Sequence, residues 1–167
     1  ITSLVFLLQE LVPIVRNYLE SFRSGRAAGA RDGSEVPELR SAMESLPVNS
    51  PRVLVVEDAD ILIYSTTGRR GSVFVSTALL EALSAEELRS AIAHEIAHVA
   101  RSRDPLLIAV YLLRAVMFFN PIALMEFRRA VQEEEKVCDE FAVSLTRDRK
   151  GLAETLRKLY LPPEEPM

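Results

Sequence analysis

Three short runs of β-branched and aromatic residues stand in the middle of the chain, and the residues after them have helical spacing. The runs are VLVVE at 53–57, ILIYST at 61–66 and SVFVS at 72–76. The sequence GRRG at 68–71 predicts a short hairpin-like turn between the last two runs. One small group of strands, with helices before and after it, predicts an α+β fold in which a small β-sheet packs on a mainly helical domain.

Capping residues mark where the helices after the strands begin. Ser84 and Glu87 form a capping box, which opens a helix. An Asp-Pro pair at 104–105 and an Asn-Pro pair at 120–121 each place a capping residue before a proline at the first helical position. The predicted helices are 84–100, 105–119, 121–146 and 150–161.

Residues 1–23 carry apolar side chains at helical spacing on one face, while Arg16 and Glu20 indicate a solvent-exposed face. Pro13 is expected to kink or divide this helix. We therefore predict a helix that docks on another surface rather than one that spans a membrane. Because the sequence begins at Ile1 rather than at a methionine, we expect it to be a piece or a processed product of a longer chain. No signal peptide is recognisable.

Residues 24–34, SGRAAGARDGS, contain three of the six glycines of the chain and no large apolar side chain, which is typical of a linker. A short helix that begins near Pro37 follows over 35–46. The predicted organisation is therefore an N-terminal helix and linker over 1–34 and a main domain over 35–167.

The apolar stretch 105–125 permits two interpretations. As one helix it would be about 32 Å long and would cross a bilayer, but Arg114 and the Asn-Pro pair at 120–121 interrupt it. Its uninterrupted apolar runs are eight and five residues long, well short of the roughly 20 residues that a spanning helix needs. The pattern favours buried core helices, with a pair of helices that dip into a membrane as the alternative.

Charge and cysteine content exclude several classes of protein. The 20 Lys and Arg residues against 24 Asp and Glu residues give a net charge of −4, which leaves no basic excess for binding nucleic acid. Cys138 is the only cysteine, so an internal disulfide framework and a cysteine-based zinc ribbon are excluded. A location in the cytoplasm, or on the cytoplasmic face of a membrane, is expected.

Both histidines of the chain lie in the sequence HEIAH at 94–98. On a helix, His94 and His98 are one turn apart on the same face and can bind one ion. Glu95 lies about 100° around the helix, where it can reach a water molecule without ligating the ion. Apolar neighbours predict a partly dry site, in which an ion acts more strongly on a water proton. The pattern favours one zinc ion per chain over the alternative of two buried histidines paired with backbone or carboxylate groups.

Catalytic zinc sites typically take three protein ligands and leave one position open for water. With no third histidine, the acidic sequence EEEKVCDE at 133–140 offers a carboxylate as the third ligand. Glu135 and Asp139 are four residues apart on a predicted helix and can present two carboxylates to one site, the first as ligand and the second behind it. The second carboxylate would accept the far N–H of a zinc-binding histidine.

The other residues of this acidic sequence have simpler interpretations. Glu133, Lys136 and Glu140 are expected on a solvated face of the helix. Cys138 is a competing zinc ligand, since a thiolate is a good donor for zinc. We expect it instead to be a small buried residue, and neither a ligand nor a redox switch.

In combination these motifs resemble the gluzincin metallopeptidases. Within them the chain looks most like the integral-membrane group that contains the β-lactam sensors of the BlaR/MecR type. The related HtpX-type and CAAX-prenyl proteases share the plan. The resemblance covers roughly residues 51–147. Besides HEIAH it rests on TALL at 77–80, LS at 83–84, EEL at 86–88, RDP at 103–105, FNP at 119–121 and EKVCD at 135–139.

The resemblance implies a zinc-dependent metalloendopeptidase that acts on a protein or peptide substrate and holds its zinc between two helices. It implies His94, His98 and Glu135 as zinc ligands, Glu95 as the general base, and Asp139 as the residue that orients a histidine. A membrane-associated sensor or regulatory zinc protein with little peptidase activity is the alternative, and a zinc hydrolase with another substrate is a third. The intact Glu95 favours an enzyme, because a protein without catalysis has no use for the base.

The sequence departs from the HtpX-type pattern at three places. Gln132 stands where those enzymes usually have arginine, and Cys138 stands where they have alanine, which favours the sensor group. The sequence DADI at 58–61 lacks the Asn-Ala motif that they carry in the strand region, and a substrate-binding role of this segment is therefore not predicted.

Two further features bear on how a peptide would bind and react. The strand at 72–76 is a candidate sheet edge, to which an extended peptide could add as another strand. Tyr64, Tyr160 and Arg129 are candidates for stabilising the oxyanion, and no pattern chooses among them. The motifs specify neither the natural substrate nor an oligomeric state.

Overall fold

The structure is a computed structural model, and it describes residues 30–48, 51–66, 71–101, 113–114, 116–117 and 119–161. Predictions for residues 1–23, for most of 105–119 and for most of the turn at 68–71 lie outside the described residues. The described elements combine strands with a majority of helix, which confirms the predicted α+β class. In chain order they are β1 (Arg31–Asp32), a 3-10 turn (Gly33–Glu35), α1 (Pro37–Glu44), β2 (Arg52–Val56), β3 (Ile63–Ser65), β4 (Ser72–Ser76), α2 (Thr77–Ala82), α3 (Ala85–Arg101), α4 (Pro121–Thr146) and α5 (Arg149–Tyr160).

The residues group into two compact units. The larger unit consists of Gly29–Arg103 and Val137–Met167, and the smaller unit of Ile1–Ala28 and Asp104–Lys136. The sheet, helices α1, α2, α3 and α5, and the C-terminal part of α4 belong to the larger unit. Helix α4 has residues in both units.

The sheet of the larger unit has the strand order β1-β2-β4-β3. β2 and β4 pair in parallel, with Val53 opposite Val73, while β1 and β3 pair antiparallel with their neighbours. Val73, Phe74 and Val75 are each at most 1% exposed, so β4 is covered on both faces, as an apolar run in a central strand should be. The prediction that 72–76 forms a sheet edge is wrong, because β3 adds to β4 on the side away from β2.

The first described residues belong to the sheet. Arg31–Asp32 pairs with β2, and the Asp32 carboxylate caps the following 3-10 turn by accepting a backbone N–H at 3.1 Å. A Cβ atom on Gly33 would lie 3.0 Å from the backbone oxygen of Val53, so the glycine lets this turn pass close to β2. The end of the segment 24–34, predicted as a linker, is therefore folded against the main domain.

The apolar core of the larger unit lies among the sheet, α1 and α3. Leu88 and Ile92 of α3 are at most 1% exposed and belong to one cluster with Leu39 of α1 and Val75 of β4. Ala142 of α4, also fully buried, joins the same cluster. Because α3 is buried along most of its length, the side chains that it carries are held in a close-packed interior.

Polar contacts fix the beginning of α3. The Ser84 N–H donates to the Glu87 carboxylate at 2.8 Å, and the Glu87 N–H donates to the Ser84 hydroxyl at 3.3 Å, so the predicted capping box is confirmed. Lys158 of α5 donates to the Ala82 carbonyl at 2.8 Å and lies 3.2 Å from the Glu87 carboxylate. The cap thereby also joins α5 to the start of α3.

The described part of the smaller unit is the beginning of α4 and a few residues before it. The Asn120 side chain accepts the backbone N–H groups of Ile122 at 3.0 Å and Ala123 at 3.3 Å, which confirms the predicted helix start. The Arg114 guanidinium lies 5.1 Å from the centre of the Phe127 ring, a cation–π contact. Of the helices in the described ranges, none combines the length and the apolar composition needed to cross a bilayer.

Glu87→Gln is expected to lower stability in a pH-dependent way. The hydrogen bond from the Ser84 backbone holds the pKa of the Glu87 carboxyl below its ordinary value of 4.5. Since the folded pKa is the lower one, the stabilisation is fully present above about pH 4.5 and is lost as the pH falls through the folded value. Loss of a helix cap costs about 1 kcal/mol, which corresponds to roughly 2–4 °C in the melting temperature of a chain of this size.

Melting curves recorded by circular dichroism at neutral and at acid pH measure this difference. Glu86→Gln removes the same charge at an exposed position in the same helical turn and is the matched control. A destabilisation by Glu87→Gln that is equal at neutral pH and below both pKa values would contradict the role of the carboxylate.

Candidate metal centre

Helix α3 carries the sequence HEIAH in its C-terminal half and buries most of it. His94 is 4% exposed and Glu95 is 5% exposed, while the neighbouring Ala93 and Ala97 are fully buried. Burying an imidazole and a carboxylate costs free energy unless polar groups compensate for the lost water. The arrangement therefore depends on the polar groups that face α3.

The two imidazoles turn the same ring nitrogen towards each other. The distance from His98 Nε2 to His94 Nε2 is 3.0 Å, and the ring planes are inclined at 79°. Two imidazole nitrogens bound tetrahedrally to one zinc ion, each at about 2.0–2.1 Å, would be about 3.3 Å apart. The two Nε2 atoms thus have close to the spacing of two ligands of one ion.

Asp139 of α4 faces the other ring nitrogen of His94. Its Oδ1 atom lies 3.0 Å from His94 Nδ1, and the Asp139 side chain is 43% exposed. Burial raises the pKa of Asp139, while the nearby His98 and Arg149 act in the lowering direction. A carboxylate at this distance can accept a hydrogen bond from Nδ1–H, and in a neutral ring with its proton on Nδ1 the lone pair is on Nε2.

Cys138, the residue before Asp139, faces His98. Its Sγ atom lies 3.5 Å from His98 Nδ1, and the residue is 0% exposed. The prediction of a small buried residue is therefore confirmed. Together with Ala142 and Leu145 it forms the buried side of α4. Consecutive residues of α4 thus lie against the Nδ1 atoms of two different histidines of α3.

Glu135 lies one helical turn before Asp139 on the continuous helix α4 and is exposed. His94, His98 and Glu135 each offer one ligand atom, and these three atoms lie within 4.8 Å of one another. Two imidazoles and one glutamate carboxylate form a donor set that zinc takes in catalytic sites. The chemistry of these donors therefore fits a zinc ion.

The outer residues of the acidic sequence lie in water, as predicted. Glu133 pairs with Lys136 at 2.6 Å, and their side chains are 68% and 66% exposed. Glu140 is also exposed. These residues therefore lie on the solvated surface of α4, and an exposed pair of this kind contributes little to stability.

The three candidates for stabilising an oxyanion lie at different places. Tyr64 of β3 stacks on Phe74, with the ring centres 5.1 Å apart, and Tyr160 is 59% exposed at the end of α5. Arg129 donates to the Glu126 carboxylate at 2.7 Å on the exposed side of α4. Because its guanidinium is already paired with a carboxylate, Arg129 is the weakest of the three candidates.

The contact between Cys138 and His98 was missed by sequence reasoning. The residue type predicts that Cys138 is buried, but it does not show which side chain a buried residue meets on another helix. The available signal was its position directly before Asp139, the acid that was expected to orient a histidine.

Comparison with known proteins identifies relatives among peptidases. Protease HtpX of Pectobacterium atrosepticum is 37% identical over 67 residues, which cover 39% of this chain and 23% of the relative. A Protease HtpX homolog of Thermoanaerobacter pseudethanolicus is 27% identical over 155 aligned positions, which cover 67% of this chain and 52% of the relative. The chain thus spans about half or less of the length of these two relatives.

A family model matches a larger part of the chain than the alignment with either relative covers. The model for the BlaR1 peptidase M56 family matches residues 14–165, a range that includes HEIAH and the whole of α4. This match confirms the resemblance predicted from the motifs and, because it covers most of the chain, it shows that the protein belongs to the BlaR1 peptidase M56 family.

Proposed function

We propose that the protein is a zinc-dependent metalloendopeptidase that hydrolyses peptide bonds of a protein or peptide substrate. The observation that carries the proposal is the 3.0 Å approach of His94 Nε2 and His98 Nε2 on a buried helix, in a chain of a peptidase family. If both Nδ1 atoms carry the ring proton, the two Nε2 lone pairs face each other, and a cation between them removes their repulsion.

In this proposal His94, His98 and Glu135 hold one zinc ion per chain, and Asp139 orients His94. The 4.8 Å grouping of the three ligand atoms and the 3.0 Å approach of Asp139 to His94 support these roles. All four residues lie within 35–167, the predicted peptidase domain. When bound, zinc supplies Lewis acidity towards the scissile carbonyl and lowers the pKa of the attacking water towards about 7.

Glu95 is proposed as the general base. Its carboxylate takes the proton of the attacking water and passes this proton to the nitrogen of the leaving amine. The carboxylate is therefore ionised again at the end of the cycle. Glu95 follows His94 directly and lies about 100° from it around α3, and it is only 5% exposed. Because bulk water is largely excluded there, its interaction with a reacting water is stronger than it would be at the surface.

The substrate strand is proposed to add at β3. β3 pairs with β4 on one side, and no other strand among the described residues pairs with it. β3 also packs against α3, the helix of the metal site, and Ile61 and Leu62 just before it are 54% and 40% exposed. An extended peptide at this edge would form backbone hydrogen bonds with β3, and every second side chain of the peptide would contact the protein.

Glu95→Gln is expected to keep the zinc and lose the hydrolysis, because an amide cannot accept the proton of the attacking water. Removing a general base typically lowers the rate roughly 10²–10⁴-fold. Cleavage of an unfolded protein substrate, with and without a chelator, measures the rate, and elemental analysis measures the zinc.

Glu86→Gln, the same change at an exposed position of α3, is the matched control and should leave cleavage unchanged. Undiminished cleavage by Glu95→Gln would move the base to another residue. A wild-type chain that binds zinc but shows no chelator-sensitive cleavage would favour the alternative of a sensor or regulatory zinc protein.

Replacement of the proposed ligands should rank them by zinc affinity. His94→Ala and His98→Ala are expected to abolish stoichiometric binding, and Glu135→Ala is expected to weaken it strongly. Glu134→Ala, its neighbour on α4, is the control and should change the affinity little, because successive residues of a helix point about 100° apart. Competition with a chelator measures the order, and a larger loss for Glu134→Ala than for Glu135→Ala would refute the ligand set.

A further inference from the structure

The inference concerns Cys138, which the proposed zinc chemistry does not use. Its sulfur is fully buried and lies 3.5 Å from His98 Nδ1. The next residue, Asp139, places an oxygen 3.0 Å from His94 Nδ1. The two contacts are therefore of the same kind: each joins a residue of α4 to the ring nitrogen of a histidine that faces away from the other histidine.

Which ring nitrogen carries the proton decides whether a neutral histidine can bind a metal. A neutral imidazole has one N–H donor and one lone pair. Under the proposed function, the two Nε2 atoms, which are 3.0 Å apart, bind one ion. Their lone pairs then face that ion, and the proton of a neutral His98 is on Nδ1. A group that accepts a hydrogen bond from Nδ1 selects this form, since the partner of one ring nitrogen sets the role of the other.

We propose that Cys138 is a positioning residue for zinc binding, and that its sulfur accepts a hydrogen bond from His98 Nδ1–H and holds the ring with Nε2 towards His94. The proposal rests on the proposed function, because it assigns His98 as a zinc ligand. Helix α4 then orients both histidines, with the Asp139 carboxylate beside His94 and the Cys138 sulfur beside His98.

The geometry separates this role from that of a zinc ligand. The Cys138 sulfur approaches Nδ1 of His98, whereas the proposed ligand atoms of the histidines are the two Nε2 atoms, which face each other. A sulfur beside Nδ1 does not contact the ion, and it affects zinc binding only by orienting the His98 ring. The reverse hydrogen bond, with the thiol as donor to Nδ1, would put the ring proton on Nε2 and leave no lone pair there for the metal.

The first measurement uses the wild-type chain without metal and needs no variant. Nitrogen-15 NMR of the two imidazole rings at one fixed neutral pH reports which nitrogen of His98 carries the proton. The expected result is the Nδ1–H form, and a ring of His98 with its proton on Nε2 would overturn the proposal.

The second measurement compares zinc affinity by competition with a chelator. Cys138→Ala removes the acceptor and is expected to weaken binding about 10–100-fold, the range typical of groups that orient metal ligands. Cys138→Ser restores an acceptor of similar size and should recover most of this loss. Ala142→Gly, one turn further along the buried side of α4, is the control for packing, and it should lower the melting temperature without changing the affinity.

The outcomes distinguish this proposal from the metal site itself. If His94→Ala abolishes zinc binding while Cys138→Ala binds zinc as tightly as Ala142→Gly does, the role of Cys138 is refuted and the metal site stands. If the chain binds no zinc, the metal site fails, and the NMR measurement still decides the contact with His98. A thiolate-to-metal charge-transfer band in the cobalt-loaded wild-type chain would overturn the proposal by making Cys138 a ligand.

Discussion

The burial of a histidine and a glutamate inside α3 is the constraint on which the rest of the site depends. At 4% and 5% exposure, His94 and Glu95 have lost most of their contact with water, and such a loss is tolerated only when polar groups replace the water. Helix α4 places Asp139 Oδ1 3.0 Å from His94 Nδ1. It also places Cys138 Sγ 3.5 Å from Nδ1 of His98, one turn further along α3. The candidate metal site on α3 therefore depends on side chains of α4 as well.

The position of α3 is determined by contacts along its length. At its beginning, the capping box of Ser84 and Glu87 is joined by Lys158 of α5. Further along, Arg89 donates to the Leu145 carbonyl at the end of α4, at 3.4 Å. These contacts, added to the apolar core on its buried side, leave the helix little freedom to rotate, and a rotation would displace both imidazoles together.

Exposure changes from one residue of the site to the next. His94 and Glu95 are buried, Asp139 is 43% exposed, and Glu135 is exposed. A hydrolase needs both conditions, because the reacting groups gain strength where water is excluded, whereas the substrate and the attacking water have to enter from an accessible side. The candidate site of this member of the BlaR1 peptidase M56 family thus has a buried part and an exposed part.

The sequence by itself determined the α+β class, the helix starts at Ser84 and Asn120, and the pairing of His94 with His98, because these depend on contacts between residues that are near in the chain. It also indicated that Cys138 is buried, since a lone cysteine on a helix usually packs as a small apolar residue. It did not determine that 72–76 is a central strand, because strand order depends on which distant strand adds at each edge. Nor did it show that Cys138 meets His98, forty residues away in the chain. The rotation of α4 about its own axis decides which side chains face α3, and only the packing of the whole core sets that rotation.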